Sequence, residues 1–322
     1  MGGCYSAKPT DKENEEAADD FVNPYTHIPS KSYPIQLVKQ ATDNFSEVHC
    51  VGEGACGKVY ECMIERVHVA VKRSTSPTSG QIVAFENEIK YLSQMDHVNV
   101  IRLLGYAISR DDYILIYEYM SKNSLSTLLS DQRETLDWSS RVDIIKGIAN
   151  GLNYLHNVAT VNLIHRDIKP QNILLDDTMV PKIADFGTVR DVMDNSPADA
   201  LGTFGYLDPT YLASGRLSSK VDVYSFGVII LEMLTGMKAV DKDKDYLHIA
   251  KAVWTKFTGG ESMALADHSL LNMVGQDEFQ RMLTIGLLCV QETVNKRPSS
   301  EELVLMLENS SITLAQPSWP PV

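Results

Sequence analysis

Residues 163–175 read Leu-Ile-His-Arg-Asp-Ile-Lys-Pro-Gln-Asn-Ile-Leu-Leu. Asp167 is the lone carboxylate of this stretch, with Arg166 before it, Lys169 two places on and the amide of Asn172 five places on. Apolar runs on both sides, Leu163-Ile164 and Ile173-Leu174-Leu175, can anchor the segment, which leaves a loop between them that aims polar groups. The remaining chain is read outward from this loop.

The 322 residues are enough for one large core or for two lobes sharing a cleft, and 44% hydrophobic with 22% charged residues is ordinary for a globular protein. A formal net charge of −13 argues against nucleic acid as a partner, since such binders present a basic patch. Five cysteines (Cys4, Cys50, Cys56, Cys62 and Cys289) are odd in number and lack C-x-x-C spacing, so neither zinc nor a disulfide framework is expected and a reducing cytosol fits best. No run of 18 apolar residues reads as a membrane-spanning helix. The longest apolar stretch, Val221 to Leu234, carries Asp222 and Glu232 and reads as a buried helix capped by Ser218 or Ser219, with Gly236 after its end.

The chain opens Met1-Gly2-Gly3-Cys4-Tyr5-Ser6, the M-G-x-x-x-[ST] pattern in which Gly2 is myristoylated. One myristoyl chain holds a membrane only marginally, and the acidic residues 11–20 cannot supply a polybasic second signal, so Cys4 is the expected site of a second acyl chain. Residues 1–34 are polar and are expected to be disordered.

Ile35, Leu37, Val38 and Ala41 then recur at helical spacing up to Asp43-Asn44. Next comes Gly52-Glu53-Gly54-Ala55-Cys56-Gly57-Lys58-Val59. A Walker A loop would need Ser or Thr after Lys58, where Val59 stands, and a Rossmann turn would open a helix. Residues 59–62 and 68–72 instead read as two strands, so the glycines form the tip of a hairpin that covers phosphates. Lys72 follows Val69-Ala70-Val71, fifteen positions beyond Gly57. On the next helical stretch Phe85, Ile89 and Leu92 share a face flanked by Glu88. Val100 to Leu104 and Ile114 to Tyr117 read as strands, and Trp138 to Asn157 as a long helix with a 3.6-residue period. Asp185-Phe186-Gly187 stands thirteen residues after Asn172.

In chain order the motifs are G-x-G-x-x-G-x-V at 52–59, V-A-V-K at 69–72, H-R-D-x-x-x-x-N at 165–172 and D-F-G at 185–187, and with them the chain resembles the protein kinase family. Residues 41–46 (Ala-Thr-Asp-Asn-Phe-Ser), 202–206 (Gly-Thr-Phe-Gly-Tyr), 222–227 and 295–298 (Asn-Lys-Arg-Pro) are similar to plant receptor-like kinases. With the acylation signal it looks like a receptor-like cytoplasmic kinase. The resemblance implies an α+β, bilobal fold: a small, mainly antiparallel sheet with a helix at about 35–120, and a larger helical lobe at about 121–309, followed by a loose proline-rich tail at 310–322.

The same resemblance implies the roles. Glu88 would be the partner of Lys72, with Glu86 as the alternative. Gly52 to Gly57 and Val59, Ala70 and Lys72 would hold ATP, with Tyr117 guarding the back of the adenine pocket and Glu118 to Met120 forming the hinge. Asp167 would align the acceptor hydroxyl, Lys169 meet the transferred phosphate, and Asn172 and Asp185 hold Mg²⁺. Lys169 and Thr203 point to Ser or Thr acceptors. Asp222 would tie down the backbone near Arg166, a structural role, as expected of a carboxylate on an apolar helix. The implied product is a membrane-anchored serine/threonine kinase at the cytoplasmic face of the plasma membrane, acting on signalling proteins below a transmembrane receptor kinase. The alternative is a pseudokinase-like docking module, against which stands the presence of Lys72, Glu88, Asp167, Asn172 and Asp185 together.

Three positions depart from the family pattern. Cys56 sits at the glycine-loop tip, where relatives carry an aromatic. Thr210 in Asp208-Pro209-Thr210 replaces the glutamate that pairs with Arg297, so another carboxylate or water has to compensate that arginine. Ala198-Asp199-Ala200 replaces the usual activation-loop threonine, leaving Ser196 and Thr203 as candidate sites and acidic neighbours as partial substitutes for phosphate near Arg166.

Overall fold

The computed structural model describes residues 31–54, 57–130, 136–194, 201–241, 247–271 and 273–318. The smaller lobe is a five-stranded antiparallel sheet in the order β1-β2-β3-β5-β4, made by β1 (Cys50–Gly54), β2 (Gly57–Ile64), β3 (Val67–Thr75), β4 (Leu103–Ile108) and β5 (Asp112–Glu118). Alternation decides what each face carries. On β3, Val69 and Val71 are buried in an upper cluster with Tyr60, Ile114 and Ile116, so Ala70 and Lys72 take the opposite face, toward the second lobe.

Before the sheet lies helix α1 (Ile35–Ala41), where the spacing predicts one; it buries Val38 and ends in three successive residues of positive φ, Asp43 (47°), Asn44 (53°) and Phe45 (58°). Such a conformation costs energy for a phenylalanine, and packing holds it. The ring of Phe45 lies 3.9 Å from the Arg73 guanidinium and 5.6 Å from Tyr60, and Arg73 is itself held by Asp112 at 2.8 Å. Helix α2 (Ser79–Leu92) starts in a capping box made by Thr78 and Gln81 and buries Phe85, Glu88, Ile89, Tyr91 and Leu92.

The strand expected at Val100 to Leu104 starts later. Val100 and Ile101 join the second lobe, Ile101 donating its N–H to Ile183 O at 2.9 Å, and the sheet strand begins at Leu103. An apolar run looks the same in either place.

The larger lobe is helical, built from α3 (Leu125–Ser130), α4 (Trp138–Asn153), α5 (Pro209–Ser214), α6 (Lys220–Thr235), α7 (Ile249–Thr258), α8 (Gln276–Cys289) and α9 (Ser300–Glu308). Two short antiparallel strand pairs carry the site: β6 (Leu163–Ile164) pairs with β9 (Arg190–Asp191), and between them in sequence β7 (Ile173–Leu175) pairs with β8 (Pro181–Ile183). The helix expected to run from Trp138 to Asn157 is α-helical to Asn153 and then widens into one π-turn over Tyr154–Val158. That turn carries His156. Helix α6 is buried from Val221 to Thr235 and ends at Gly236 (φ 67°), as expected, but Ser219 at its start makes no capping bond through its side chain.

At both ends the folded body is longer than the sequence suggests. Ser32, expected in the disordered segment, forms a bridge with Tyr106. At the other end the expected loose tail is irregular but tied down as far as Ser318. Arg281 donates to Ile312 O at 2.8 Å, and Gln291 exchanges bonds with the Ser318 backbone at 2.8 Å.

Candidate active site

Between the lobes lies a cavity of about 270 Å³ whose lining includes Gly52, Val59, Ala70, Lys72, Glu88, Tyr117, Glu118, Met120, Asn172 and Asp185. Its entrance side is apolar, with Val51, Val59, Ala70 and Leu174, and its inner end is charged. That is the division a flat heterocycle carrying phosphates requires. Lining residues to which the motif reading gave no role are Val51, Ile101, Asn123, Gln171, Leu174 and Ala184. Leu174 could have been found: Ile173 and Leu175 are buried in the lobe, so on a strand the residue between them takes the other face. Glu53 pairs with Lys58, and Gly54 with Gly57, at the end of the β1–β2 hairpin. Ala55, Cys56, Ser196, Gly2 and Cys4 lie outside the described residues.

At the inner end, Lys72 Nζ is 2.7 Å from Glu88 Oε1 and 3.2 Å from Asp185 Oδ1. Of the two glutamates considered, Glu88 is the one that reaches the lysine. Burial works against the ammonium, but Glu88 and Asp185 more than offset it and hold the Lys72 pKa well above its ordinary value. Asp185 is displaced the other way, its pKa lowered chiefly by the Lys72 charge. The second oxygen of Glu88 accepts from the Tyr117 hydroxyl. Burial and the Glu88 charge push that phenol well up, so it stays a donor. This bond was not visible in the sequence.

Two contacts hold α2 against the Asp-Phe-Gly turn: Asn87 Nδ2 donates to Gly187 O at 3.0 Å, and Gly187 packs so close to Ala84 that a Cβ there would come within 2.9 Å of Ala84 Cβ. Phe186 itself is fully buried. Asp185 itself is left-handed (φ 70°).

Asp167 stands at the centre of a second cluster. Its Oδ1 accepts from Thr203 Oγ1 at 2.7 Å and its Oδ2 from Lys169 Nζ at 2.6 Å, while Lys169 also donates to Thr203 at 2.8 Å. Asn172 Nδ2 donates to Asp167 Oδ2 at 3.1 Å and to its backbone O at 2.9 Å. The loop is fixed from below by Asp222, whose Oδ2 accepts from the His165 N–H at 2.7 Å and whose Oδ1 accepts from the Arg166 N–H at 2.8 Å. His156 adds Nε2–H to Asp222 Oδ2 at 2.9 Å. Burial alone would raise the Asp222 pKa, but the bonds from His156 and His165 win and lower it, so the buried carboxylate stays ionised. Those two backbone donors let Arg166 hold its left-handed φ of 73°. His165 completes the link, bonding Ala184 O through Nε2 at 3.1 Å and meeting the Phe186 ring edge-on at 5.2 Å.

Arg297 finds the compensation that Thr210 cannot give. Asp208, two residues earlier, takes its Nη1 at 2.5 Å and its Nη2 at 2.9 Å, and Thr210 Oγ1 lies 3.3 Å from Nη2.

The comparison with known proteins agrees with this architecture. The protein kinase domain matches residues 45–306. Cysteine-rich receptor-like protein kinase 5 of Arabidopsis thaliana is 40% identical over 302 residues, which are 90% of this chain and 46% of that protein. Cysteine-rich receptor-like protein kinase 19 of the same plant is 40% identical over 324 residues, 97% of this chain and 50% of that one. A G-type lectin S-receptor-like serine/threonine-protein kinase, also from Arabidopsis thaliana, is 37% identical over 297 residues, 89% and 36% respectively. The chain thus spans half or less of these relatives. A two-lobed fold, a cleft with its charged groups at one end, and a family match over most of the sequence lead to one statement: the chain belongs to the protein kinase family, and proteins similar to it are plant receptor-like kinases.

Proposed function

We propose that this chain is a catalytically competent protein kinase that moves the terminal phosphoryl group of ATP to serine or threonine hydroxyls of other proteins. The observation that carries this reading is the Lys72 ammonium held at 2.7 Å from Glu88 and 3.2 Å from Asp185 in the charged end of the cleft. A docking module needs no such arrangement.

The donor set fits magnesium. Asn172 gives its Nδ2 to Asp167, which leaves its Oδ1 for a cation, and Asp185 offers a carboxylate with a lowered pKa. Among the described residues no cluster of three or more His, Cys, Asp or Glu side chains could hold a metal. Magnesium suits such a site because it takes one or two protein oxygens together with phosphate and water. When bound, the ion would neutralise charge on the phosphates. The chain's own groups do the rest. Lys72 positions the phosphates, Asp167 accepts the hydroxyl proton, and Lys169 lies 2.6 Å from that carboxylate, where it can face negative charge building on the moving group. Thr203 occupies Asp167 Oδ1 at 2.7 Å, the atom an acceptor hydroxyl would address, so the serine or threonine is read as arriving beside it.

Gly2 and Cys4 are proposed as acylation sites that hold the protein at the cytoplasmic face of the plasma membrane, near an upstream transmembrane receptor kinase. Support comes from the amino-terminal pattern and from the names of the relatives. Among the described residues no helix is long and apolar enough to cross a membrane. The test is transfer of radiolabelled phosphate from magnesium-ATP to a generic protein substrate, with Asp167→Asn beside the native chain. Loss of at least a hundredfold in the variant is expected. A folded native chain that transfers no label would overturn the reading and leave the docking role.

A further inference from the structure

The matched kinase domain begins at residue 45, yet the ordered body begins earlier. Residues 31–33 lie along the outer edge of β4 as a short parallel strap. The Tyr106 N–H donates to Lys31 O at 3.0 Å and the Tyr33 N–H donates to Tyr106 O at 2.8 Å, so both backbone groups of Tyr106 are taken by the strap. Gly105 makes room for it, since a Cβ there would stand 2.2 Å from Lys31 O and 2.6 Å from the Tyr33 ring. Outside, Lys31 pairs with Glu65 at 2.5 Å and lies 4.3 Å from the Tyr33 ring centre.

What the strap holds is not neutral to the site. Tyr106 is 1% exposed, and its ring meets Phe85 of α2 edge-on at 6.4 Å and 87°. Phe85 is also held by Tyr113 at 5.2 Å. Three residues along the same helix, and so on a neighbouring face, stands Glu88, the partner of Lys72. Backbone pairing at the sheet edge therefore connects to the catalytic ion pair through two packed rings.

We propose that residues 31–33 are a positioning element for α2: when paired with β4 they fix Tyr106 against Phe85 and keep Glu88 on Lys72, and when they leave, α2 loosens. Backbone groups of Lys31 and Tyr33 carry the pairing with Tyr106. The strap also lies between the proposed acyl sites and the small lobe, so a pull on the amino-terminal segment reaches α2 through it. The inference rests on the kinase reading for its activity readout, and hydrogen exchange at α2 tests it independently of phosphoryl transfer.

The experiment compares the native chain, a chain beginning at Pro34, the full-length Gly105→Ala variant, and Gly105→Ala in the shortened chain. Tyr33→Phe serves as a control that keeps the backbone bonds. Shortening is expected to lower kcat about tenfold, as for a paired state reduced to about a tenth of the molecules. The KM for the protein substrate should not change, because the acceptor groups Asp167, Lys169 and Thr203 belong to the other lobe. Amides of residues 79–92 should exchange faster while those of α6 and α8 do not. Gly105→Ala should reproduce both effects in the full chain and add nothing in the shortened one, the mark of two changes acting through one contact. Unchanged kcat and unchanged α2 exchange in the Gly105→Ala and shortened chains would overturn the proposal, and so would additive effects. If the shortened chain does not fold, the full-length Gly105→Ala variant still decides between these outcomes.

Discussion

Replacing Asp208 tests whether this chain has rebuilt a buried ion pair from a different residue. Arg297 is 1% exposed and Asp208 2% exposed, so neither charge is shielded by water. A guanidinium has five N–H donors, and here each has an acceptor. Nε goes to Gln291 O at 2.7 Å; Nη1 goes to Asp208 Oδ2 at 2.5 Å and to Lys220 O at 3.2 Å; Nη2 goes to Asp208 Oδ1 at 2.9 Å and to Thr210 Oγ1 at 3.3 Å. Asp208 also caps α5, its Oδ1 accepting from the Thr210 N–H at 2.9 Å. Asp208→Ala removes a buried partner, at about 3–5 kcal/mol, and the cap, at about 1 kcal/mol. The expected total is about 4–6 kcal/mol, read as a lower urea midpoint by tryptophan fluorescence. Asp208→Asn keeps the cap but loses the charge, and should fall near 3 kcal/mol.

The decisive variant is the double one. In the native chain Thr210→Glu should change stability by less than about 1 kcal/mol, because Asp208, Gln291 and Lys220 satisfy four of the Arg297 donors and the new carboxylate can take the one now held by Thr210 Oγ1. On the Asp208→Asn background the same change should recover at least half of the loss, giving a coupling of about 1.5 kcal/mol or more. Activity should follow stability, since the segment that runs into Asp208 begins at Thr203, whose carbonyl accepts from the Leu207 N–H at 3.0 Å and whose hydroxyl holds Asp167. If Asp208→Ala costs less than about 1 kcal/mol, Arg297 is satisfied by other means and the compensation argument is wrong.

Three further outcomes are expected. Tyr117→Phe leaves a Glu88 oxygen buried without its hydroxyl donor and should cost about 1.5–3 kcal/mol by urea unfolding; a neutral effect would show that water replaces the phenol. Glu232, pushed by burial to about 7 from an ordinary 4.5, accepts from Tyr206 at 2.7 Å and from the Ala239 N–H at 2.7 Å. The folded state therefore binds the extra proton between those values. Stability from this group is complete below about 4.5 and is lost as pH rises through about 7, a change of about 3 kcal/mol. Glu232→Gln should be nearly neutral at pH 5 and stabilising at pH 8, and parallel stability–pH curves for the two proteins would refute the assignment. Finally, Cys4→Ser should release most of the protein from membranes in fractionated cells, while Gly2→Ala should release all of it; membrane retention of both would exclude acyl anchoring.

The sequence carried the fold because its motifs are local. Gly52 to Val59, Val69 to Lys72, His165 to Asn172 and Asp185 to Gly187 each fit within one turn or strand, and their order fixes which elements meet. What stayed hidden is long-range or carries no side-chain signal. Asp208 and Arg297 are 89 residues apart, and Tyr117 and Glu88 are 29 apart; no periodicity connects them. Glu86 and Glu88 both border the apolar stripe of α2, and only the packing of Phe85 and Ile89 decides which one turns to Lys72. The strap at residues 31–33 pairs with β4 through backbone groups, which leave no side-chain pattern, so a polar composition predicted disorder where the β4 edge offers bonds. The run from Val100 was read as the start of a strand because period and apolarity cannot say which of two sheets will take it.

Burial separates the charged groups that hold this site from those that act in it. Residues with complete partner sets are almost closed to solvent: Glu88 at 2%, Asp222 at 0%, Arg297 at 1% and Asp208 at 2%. In that setting an ion is tolerated only when its partners are in place beforehand, so their geometry is set by the fold and not by a substrate. Lys72 and Lys169 at 19%, Asp167 at 12% and Asp185 at 36% keep a face toward the cleft. Their present partners are mostly one another, and these are contacts that incoming phosphates, a cation or a hydroxyl can exchange at modest cost. A kinase working as proposed would spend little reorganisation on each turnover, because the groups that must move are the ones water already reaches. The same division explains why losing Asp208 or Asp222 should disturb folding first, whereas losing Asp167 should leave the fold intact and remove the chemistry.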